Sequence, residues 1–277
     1  VALCLYGLVG GLSKWRGGIG SKDVDISRKI LDIGAENYKK NLFDHADVDV
    51  FIHCWSKELE KEIIEAYSPV DYTIEVQKSF DIPAHVPGHD WRKHSHYSRW
   101  YSTKHVVELK KKHETENDFK YDLVMMGRFD HSMEKNIDLE SLDAGKFYGM
   151  MWPRWFDSSG SPLPDKNFFP LVKSVGKERF LREYSKRFVG YPHNHEGLLD
   201  QWLCASSENM DRYSELFDLL GEYSLPNRCP VDSAGQISAH RQSIYHLQQL
   251  GFGEQISLIL DLHEDYPLIR RKYFLSA

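Results

Sequence analysis

A chain of 277 residues can bury a substantial core, as one large domain or two small ones. Its formal net charge of -6, with no cationic stretch to offset it, excludes a general nucleic-acid binder, which needs a basic face. Hydrophobic residues at 41% and charged ones at 27% are ordinary for a soluble globular protein.

The cysteines Cys4, Cys54, Cys204 and Cys229 are far apart and form no CxxC pair, so they read as reduced intracellular thiols rather than a disulfide frame or zinc site. Residues 1–11 are apolar but too short to span a bilayer, with no basic leader or cleavage signal. The expectation is a soluble, cytoplasmic protein with no membrane anchor of its own. Aromatic rings are plentiful, which suits a sugar-binding cleft and equally a large core.

Residues 1–6 predict a first buried strand, followed by Gly7, Gly10, Gly11, Lys14, Arg16, Gly17, Gly18 and Gly20. A strand leading into glycines and cations brings backbone amides close to a nucleotide. The spacing is neither G-x-G-x-x-G nor a P-loop, so a plain surface loop fits it as well. Leu31, Ala35, Tyr38 and Leu42 recur at helical spacing. Residues 48–52 predict a second strand ending in His53-Cys54-Trp55, residues 57–67 a helix stopped by Pro69, and residues 70–76 a third strand. The order β-α-β-α-β predicts a parallel sheet with right-handed crossovers.

Pro83, Pro87 and Gly88 mark residues 80–97 as a loop, which carries His85, His89, His94 and His96, with His105 just beyond. Their irregular spacing favours solvated side chains over a zinc site. Residues 98–114 predict a helix with Arg99 in its first turn. Packed antiparallel to the next strand, it would bring Arg99 to the sheet edge as a phosphate ligand; otherwise Arg99 is a surface arginine.

Residues 121–132 read Tyr-Asp-Leu-Val-Met-Met-Gly-Arg-Phe-Asp-His-Ser, an apolar run broken by Gly127. A run with no polar face predicts a strand covered on both sides. Arg128 and Asp130 follow at its carboxyl end, where ligands of open α/β sheets sit. Two apart in extended chain, they point the same way. Such a pair suits a phosphate-bearing ligand with a divalent metal on the carboxylate; an ion pair capping the strand end fits equally.

Residues 147–152 form another apolar run and lead into an aromatic segment to residue 164, read as a sugar platform or a packed loop. Phe180, Leu181, Tyr184 and Phe188 predict a helix. Glu196 and Asp200, four apart, would share a helix face, where like charges are unfavourable unless a cation or a function uses them. One of them is a candidate general base. Met210, Tyr213, Leu216 or Phe217, and Leu220 predict a core-facing helix, and Ile237, Ile244 and Leu247 a last long one carrying His240, Arg241 and His246. Residues 266–274 close the chain, and one domain is the simplest organisation.

Three segments carry a resemblance: Cys4-Leu5-Tyr6-Gly7-Leu8-Val9-Gly10; Tyr97-Ser98-Arg99-Trp100-Tyr101-Ser102 through Tyr121-Asp122-Leu123-Val124 to Arg128-Phe129-Asp130; and Leu199-Asp200-Gln201-Trp202-Leu203 through Ser206-Ser207-Glu208-Asn209-Met210. On these the chain resembles GT-A-type nucleotide-sugar glycosyltransferases, most of all those encoded by large algal DNA viruses of chlorovirus type, and more distantly bacterial capsule-type enzymes. The resemblance implies a single α/β domain, Rossmann-type, with a mostly parallel central sheet flanked by helices and a helical C-terminal part. Residues 1–130 would be the nucleotide-binding half and 131–277 the acceptor-binding half.

The implied activity moves a sugar from a nucleotide-diphosphate donor to a glycan hydroxyl, with a UDP-sugar favoured and UDP-xylose fitting the viral relatives. Tyr6, Gly7 and Leu8 would hold base and ribose, and Lys14, Arg16, Arg99 and Arg128 the phosphates. Asp130 would bind Mn²⁺ or Mg²⁺, joined by His240 or His246. Arg128 stands where the family's Asp-x-Asp motif has its first aspartate, so either Asp130 binds the metal alone or Arg128 replaces part of its charge. An inverting transfer needs a carboxylate base, with Asp200 first, Glu196 second and Asp157 third. A catalytically silent GT-A module binding carbohydrate or protein is the alternative, and a metal-dependent hydrolase built on the histidines of residues 85–105 ranks last. If the chain is viral, the host cytoplasm is the implied location.

Overall fold

The computed structural model describes residues 1–10, 24–151, 197–229, 231–232, 235–262 and 264–274. Its strands are β1 (Ala2–Gly7), β2 (Asp49–Cys54), β3 (Asp71–Ile74), β4 (Val124–Arg128), β5 (Phe147–Met151), β6 (Leu203–Ala205) and β7 (Ile256–Asp261). They form one mixed, mostly parallel sheet in the order β3-β2-β1-β4-β6-β5-β7. Strands β1, β2 and β3 are parallel, as the β-α-β-α-β order predicts, and β4 adds parallel to β1 on its other side. Antiparallel β6 is inserted between β4 and β5, and β7 pairs parallel to β5.

The helices are α1 (Val24–Tyr38), α2 (Glu60–Tyr67), α3 (Asp90–Glu116), α4 (Ser207–Ser214), α5 (Leu216–Tyr223) and α6 (Ala239–Gln249). Successive strand residues point to opposite faces, and each face has its own helical cover. Ala2, Cys4 and Tyr6 of β1 pack with Trp100 and Val106 of α3 and Leu247 of α6. Leu3 and Leu5 pack with Leu31 and Tyr38 of α1 and Ile63 of α2. Two covered faces explain why the central strands carry no alternating polar residues.

Several expectations need correction. The helix predicted from residue 98 begins at Asp90, so His94 and His96 stand on α3 rather than on a loop. Gly88 is the last breaker, and the polar residues after it are tolerated on an exposed first turn. The 210–220 helix divides into α4 and α5 at Glu215. Ile237 precedes α6, whose N-cap is Ser238 with its hydroxyl accepting from the Arg241 amide. Strands β6 and β7 were not anticipated. The Glu196–Asp200 helix face also fails on its described part, because residues 197–200 are irregular chain leading into β6. The aromatic segment 152–164 and the helix expected at 180–188 lie outside the described residues.

Helix α3 is about 40 Å long at 1.5 Å per residue and runs antiparallel to β1. Ser102 meets the Gly7 amide at the carboxyl end of β1, Val106 carbonyl lies over Cys4, and Glu114 accepts from the Tyr121 amide just before β4. Buried Lys110 fixes this register by donating to Glu114 (2.9 Å), Ser207 (2.5 Å) and Asp211 (2.6 Å), one acceptor for each ammonium hydrogen. Burial alone would raise the Glu114 carboxyl, but bonds from Lys120, Ser207, the Tyr121 amide and Lys110 bring it down to about 2. No helix among the described residues is long and apolar enough to cross a membrane.

Candidate functional site

Register alone lines up the polar ends of three strands. Tyr6 of β1 is paired with His53 of β2 on one side and Arg128 of β4 on the other. Cross-strand partners share a face, so the three side chains form a row at the carboxyl edge, on the side covered by α3. The antiparallel course of α3 brings Arg99 and Ser102 onto that row, as the sequence anticipated for Arg99.

Arg99 stacks on the Tyr6 ring, 5.0 Å from its centroid, and on Trp100 at 4.6 Å. It donates to the Tyr6 hydroxyl at 2.9 Å, and that hydroxyl donates to the Asp200 carbonyl at 2.7 Å. The Arg99 guanidinium also reaches the Asp200 carbonyl, and its Nε lies 2.6 Å from Asp200 Oδ2. His240 Nδ1, at the start of α6, lies 3.0 Å from Asp200 Oδ1. Burial would raise the Asp200 carboxyl, but Arg99 first and His240 second hold it well below the usual carboxylate range.

Gly197 explains how Asp200 comes to lie beside α6. Its φ is +80°, and a Cβ there would sit 2.2 Å from the His240 carbonyl carbon. Only glycine lets the backbones approach so closely, and the adjacent Leu198 amide donates to the His240 carbonyl at 2.9 Å.

A second pair completes the cluster. Arg128 grips Asp130 bidentately, Nε to Oδ1 at 2.8 Å and Nη2 to Oδ2 at 2.6 Å. Asp130 is fully buried, while the Arg128 side chain stays 27% exposed, with Nη1 not used in the grip. Burial opposes ionisation of Asp130, but Arg128 and then His131 outweigh it and lower its pKa. The turn is held from behind: the Arg128 amide donates to the Tyr266 hydroxyl at 3.0 Å, and Ile269 amide donates to the Asp130 carbonyl. Arg128 and Asp130 therefore make the strand-end ion pair, beside Tyr6 and not turned away from it.

The donor set does not fit a divalent cation in this arrangement. Both Asp130 oxygens are engaged by a guanidinium whose charge would repel a second cation. His246 is a correction to the expected ligand set, since its Nδ1 bonds the Tyr223 hydroxyl at 2.9 Å and its Nε2 the Arg212 carbonyl at 3.1 Å. Neither nitrogen keeps a lone pair to offer, and burial pushes the imidazole down to about 4. His240 faces Asp200. Among the described residues no three His, Cys, Asp or Glu side chains are grouped to hold a metal ion. The histidines of residues 85–105 are likewise dispersed: His85 bonds the Gly221 carbonyl, His96 bonds Gln242, and His105 bonds Glu108.

Of the remaining expected residues, Gly7 lies at the edge with φ +99°, its amide already donating to Ser102 Oγ at 3.0 Å, and Leu8 beside it is half-buried. Lys14, Arg16, Asp157 and Glu196 lie outside the described residues. Sequence reasoning missed the aromatic flank at the end of β2. There His53 Nδ1 sits 2.7 Å from Ser102 Oγ and Nε2 3.3 Å from Glu75, and Lys78 bridges Glu75 at 2.9 Å to the Tyr101 hydroxyl. Trp55 stacks on Tyr101 with ring centroids 5.5 Å apart. Burial, chiefly, pushes His53 down to about 4, so it is neutral at physiological pH. The signal was available: His53 stands one residue before the end of β2, as Tyr6 does in β1, and Arg128 ends β4.

No family model matches the chain, and no curated protein matches it either.

Proposed function

We propose that the chain is a GT-A-like glycosyltransferase that moves a sugar from a nucleotide-diphosphate donor, a UDP-sugar first, to a glycan hydroxyl. The observation that carries this reading is the convergence of Tyr6, Arg99 and Arg128 at the carboxyl edge of β1 and β4, each arginine anchored by a buried carboxylate. Departure of a nucleoside diphosphate develops negative charge, and prefixed guanidinium forks are suited to stabilise it without reorganising. Trp55 and Tyr101, stacked on each other, flank the row on the β2 side. Diphosphate neutralisation falls to Arg128 and Arg99, with Asp130 as the counter-ion that aims Arg128.

Asp200 serves the site as an anchor for Arg99 and His240. A carboxylate held ionised so firmly is a weak proton acceptor, which leaves Glu196 and Asp157 as the carboxylates for that step. The same locking of both aspartates favours the second reading, a silent module of this fold that binds carbohydrate or protein.

Release of UDP or GDP from a panel of nucleotide-sugars, with and without Mn²⁺ and oligosaccharide acceptors, separates the two. Turnover is expected, and Arg128→Lys, which keeps the charge but loses the fork, should lower it about 10²-fold. A chain that releases neither nucleotide, and whose melting temperature is unmoved by UDP and GDP, would sink the transferase reading.

A further inference from the structure

A cavity of about 500 Å³ lies between the end of α5, the start of α6 and the loop that precedes α3. Gln242 forms part of its wall. It stands two residues after His240, about 200° further around the helix. The volume falls within the range of about 300–1,000 Å³ that small-molecule sites occupy.

The lining mixes two kinds of surface. Pro87, Tyr223, Pro226 and Ile237 supply ring and aliphatic faces. Ser224, Asn227, Ser238 and Gln242 supply neutral hydroxyls and amides. Among the described residues the rim carries one arginine, Arg228, about half exposed with Glu222 3.7 Å away. A phosphate-bearing ligand would need more cations than this. The Ser224 and Ser238 hydroxyls already have partners in the Leu220 carbonyl and the Arg241 amide, but a wholly apolar ligand would leave the second hydrogen of the Gln242 amide unanswered. Hydroxyls alternating with C–H faces meet both demands.

The amide of Gln242 is preset for such a ligand. His96 is neutral, pushed by burial to about 4, and its Nε2 bonds Gln242 Oε1. That fixes the amide with its nitrogen turned to Ser224 Oγ at 3.3 Å, leaving Nε2 a second hydrogen to give. His96 is one turn of α3 before Arg99, so the cavity wall and the Asp200 cluster share the α3–α6 seam.

We infer that this cavity is a binding pocket for a neutral mono- or disaccharide. Under the transferase reading, on which this clause alone rests, it holds a non-reacting part of the acceptor glycan. Saccharide binding itself does not depend on that reading.

The test is saturation-transfer NMR on the whole chain with methyl xyloside, glucoside, galactoside, mannoside and fucoside, xylobiose and maltose, run beside the nucleotide-release assay. At least one saccharide should show saturation transfer, with affinity at least ten-fold weaker in Val231→Trp, which fills the rim at a residue 39% exposed. Gln242→Leu should weaken it similarly, and Val76→Trp on the edge beyond β3, 74% exposed, should leave it unchanged. No transfer to any of the sugars, or transfer that survives both Val231→Trp and Gln242→Leu, overturns the inference. Nucleotide release without saccharide binding removes the pocket and spares the transferase; the converse spares the pocket and removes the transferase.

Discussion

Arg99–Asp200 and Arg128–Asp130 put two full charges of each sign into a largely dry corner, where removing one partner strands the other. Asp200 is 5% exposed and Arg99 13%, so the pair is a buried one in which truncation is costly. Asp200→Asn should cost roughly 3 kcal/mol in chemical denaturation at neutral pH. The pH dependence has a definite sign. The folded carboxyl titrates below the unfolded value of about 3.9, so the unfolded chain takes up the proton first as pH falls. Its stabilisation is full above about pH 5 and is lost as the pH drops toward the folded-state value. Denaturation midpoints from pH 7 down to pH 3 should fall more gently in Asp200→Asn than in the natural chain, and parallel curves would show that Asp200 carries no such linkage. At this scale the sequence was informative about residue type and place for Tyr6, Arg99, Arg128 and Asp130, and about type alone for Asp200. It offered the Arg128–Asp130 pair, two residues apart, but was silent about Asp200, whose cation Arg99 lies 101 residues away, and His246, a ligand implied by the resemblance, is fully engaged by Tyr223 and Arg212.

Between elements, the site depends on how closely the chain entering β6 can press on the start of α6. Gly197→Ala would need both a left-handed backbone for alanine and room for a Cβ 2.2 Å from the His240 carbonyl carbon. Strain and overpacking together should cost roughly 3 kcal/mol. The segment should also withdraw from α6 and separate His240 from Asp200, read out as a His240 ring resonance shifted in NMR while remote resonances stay put. A variant as stable as the natural chain, with that resonance unmoved, would show that the close approach is dispensable. Helix α3 was legible in its apolar positions but not in its start. His94 and His96 lie amid polar residues whose helical state is decided by what they pack against, and His96 gains a buried partner on α6.

For the whole molecule, the parallel core β2-β1-β4 is covered on both faces, whereas β3 is a four-residue edge strand with Val70 and Tyr72 beside it or within it more than 40% exposed. Native-state hydrogen exchange should therefore be slowest at β1 and β4 amides, limited by global unfolding, and faster at β3 through local opening. Equal rates across the sheet would contradict this division. The sequence by itself determined the first half of the fold, because a doubly covered strand must be apolar throughout and amphipathic helices between such strands force parallel crossovers. It also placed polar residues at the strand ends, where the carboxyl edge of any such sheet is open. Tertiary structure alone decided the rest. The three-residue strand β6 is too short to carry a period of its own and exists by pairing between β4 and β5. The meeting of Asp200 with Arg99 and His240 requires sheet order, the antiparallel course of α3 and a glycine's close approach at once, and pairing of charges across such distances leaves no local imprint on the chain.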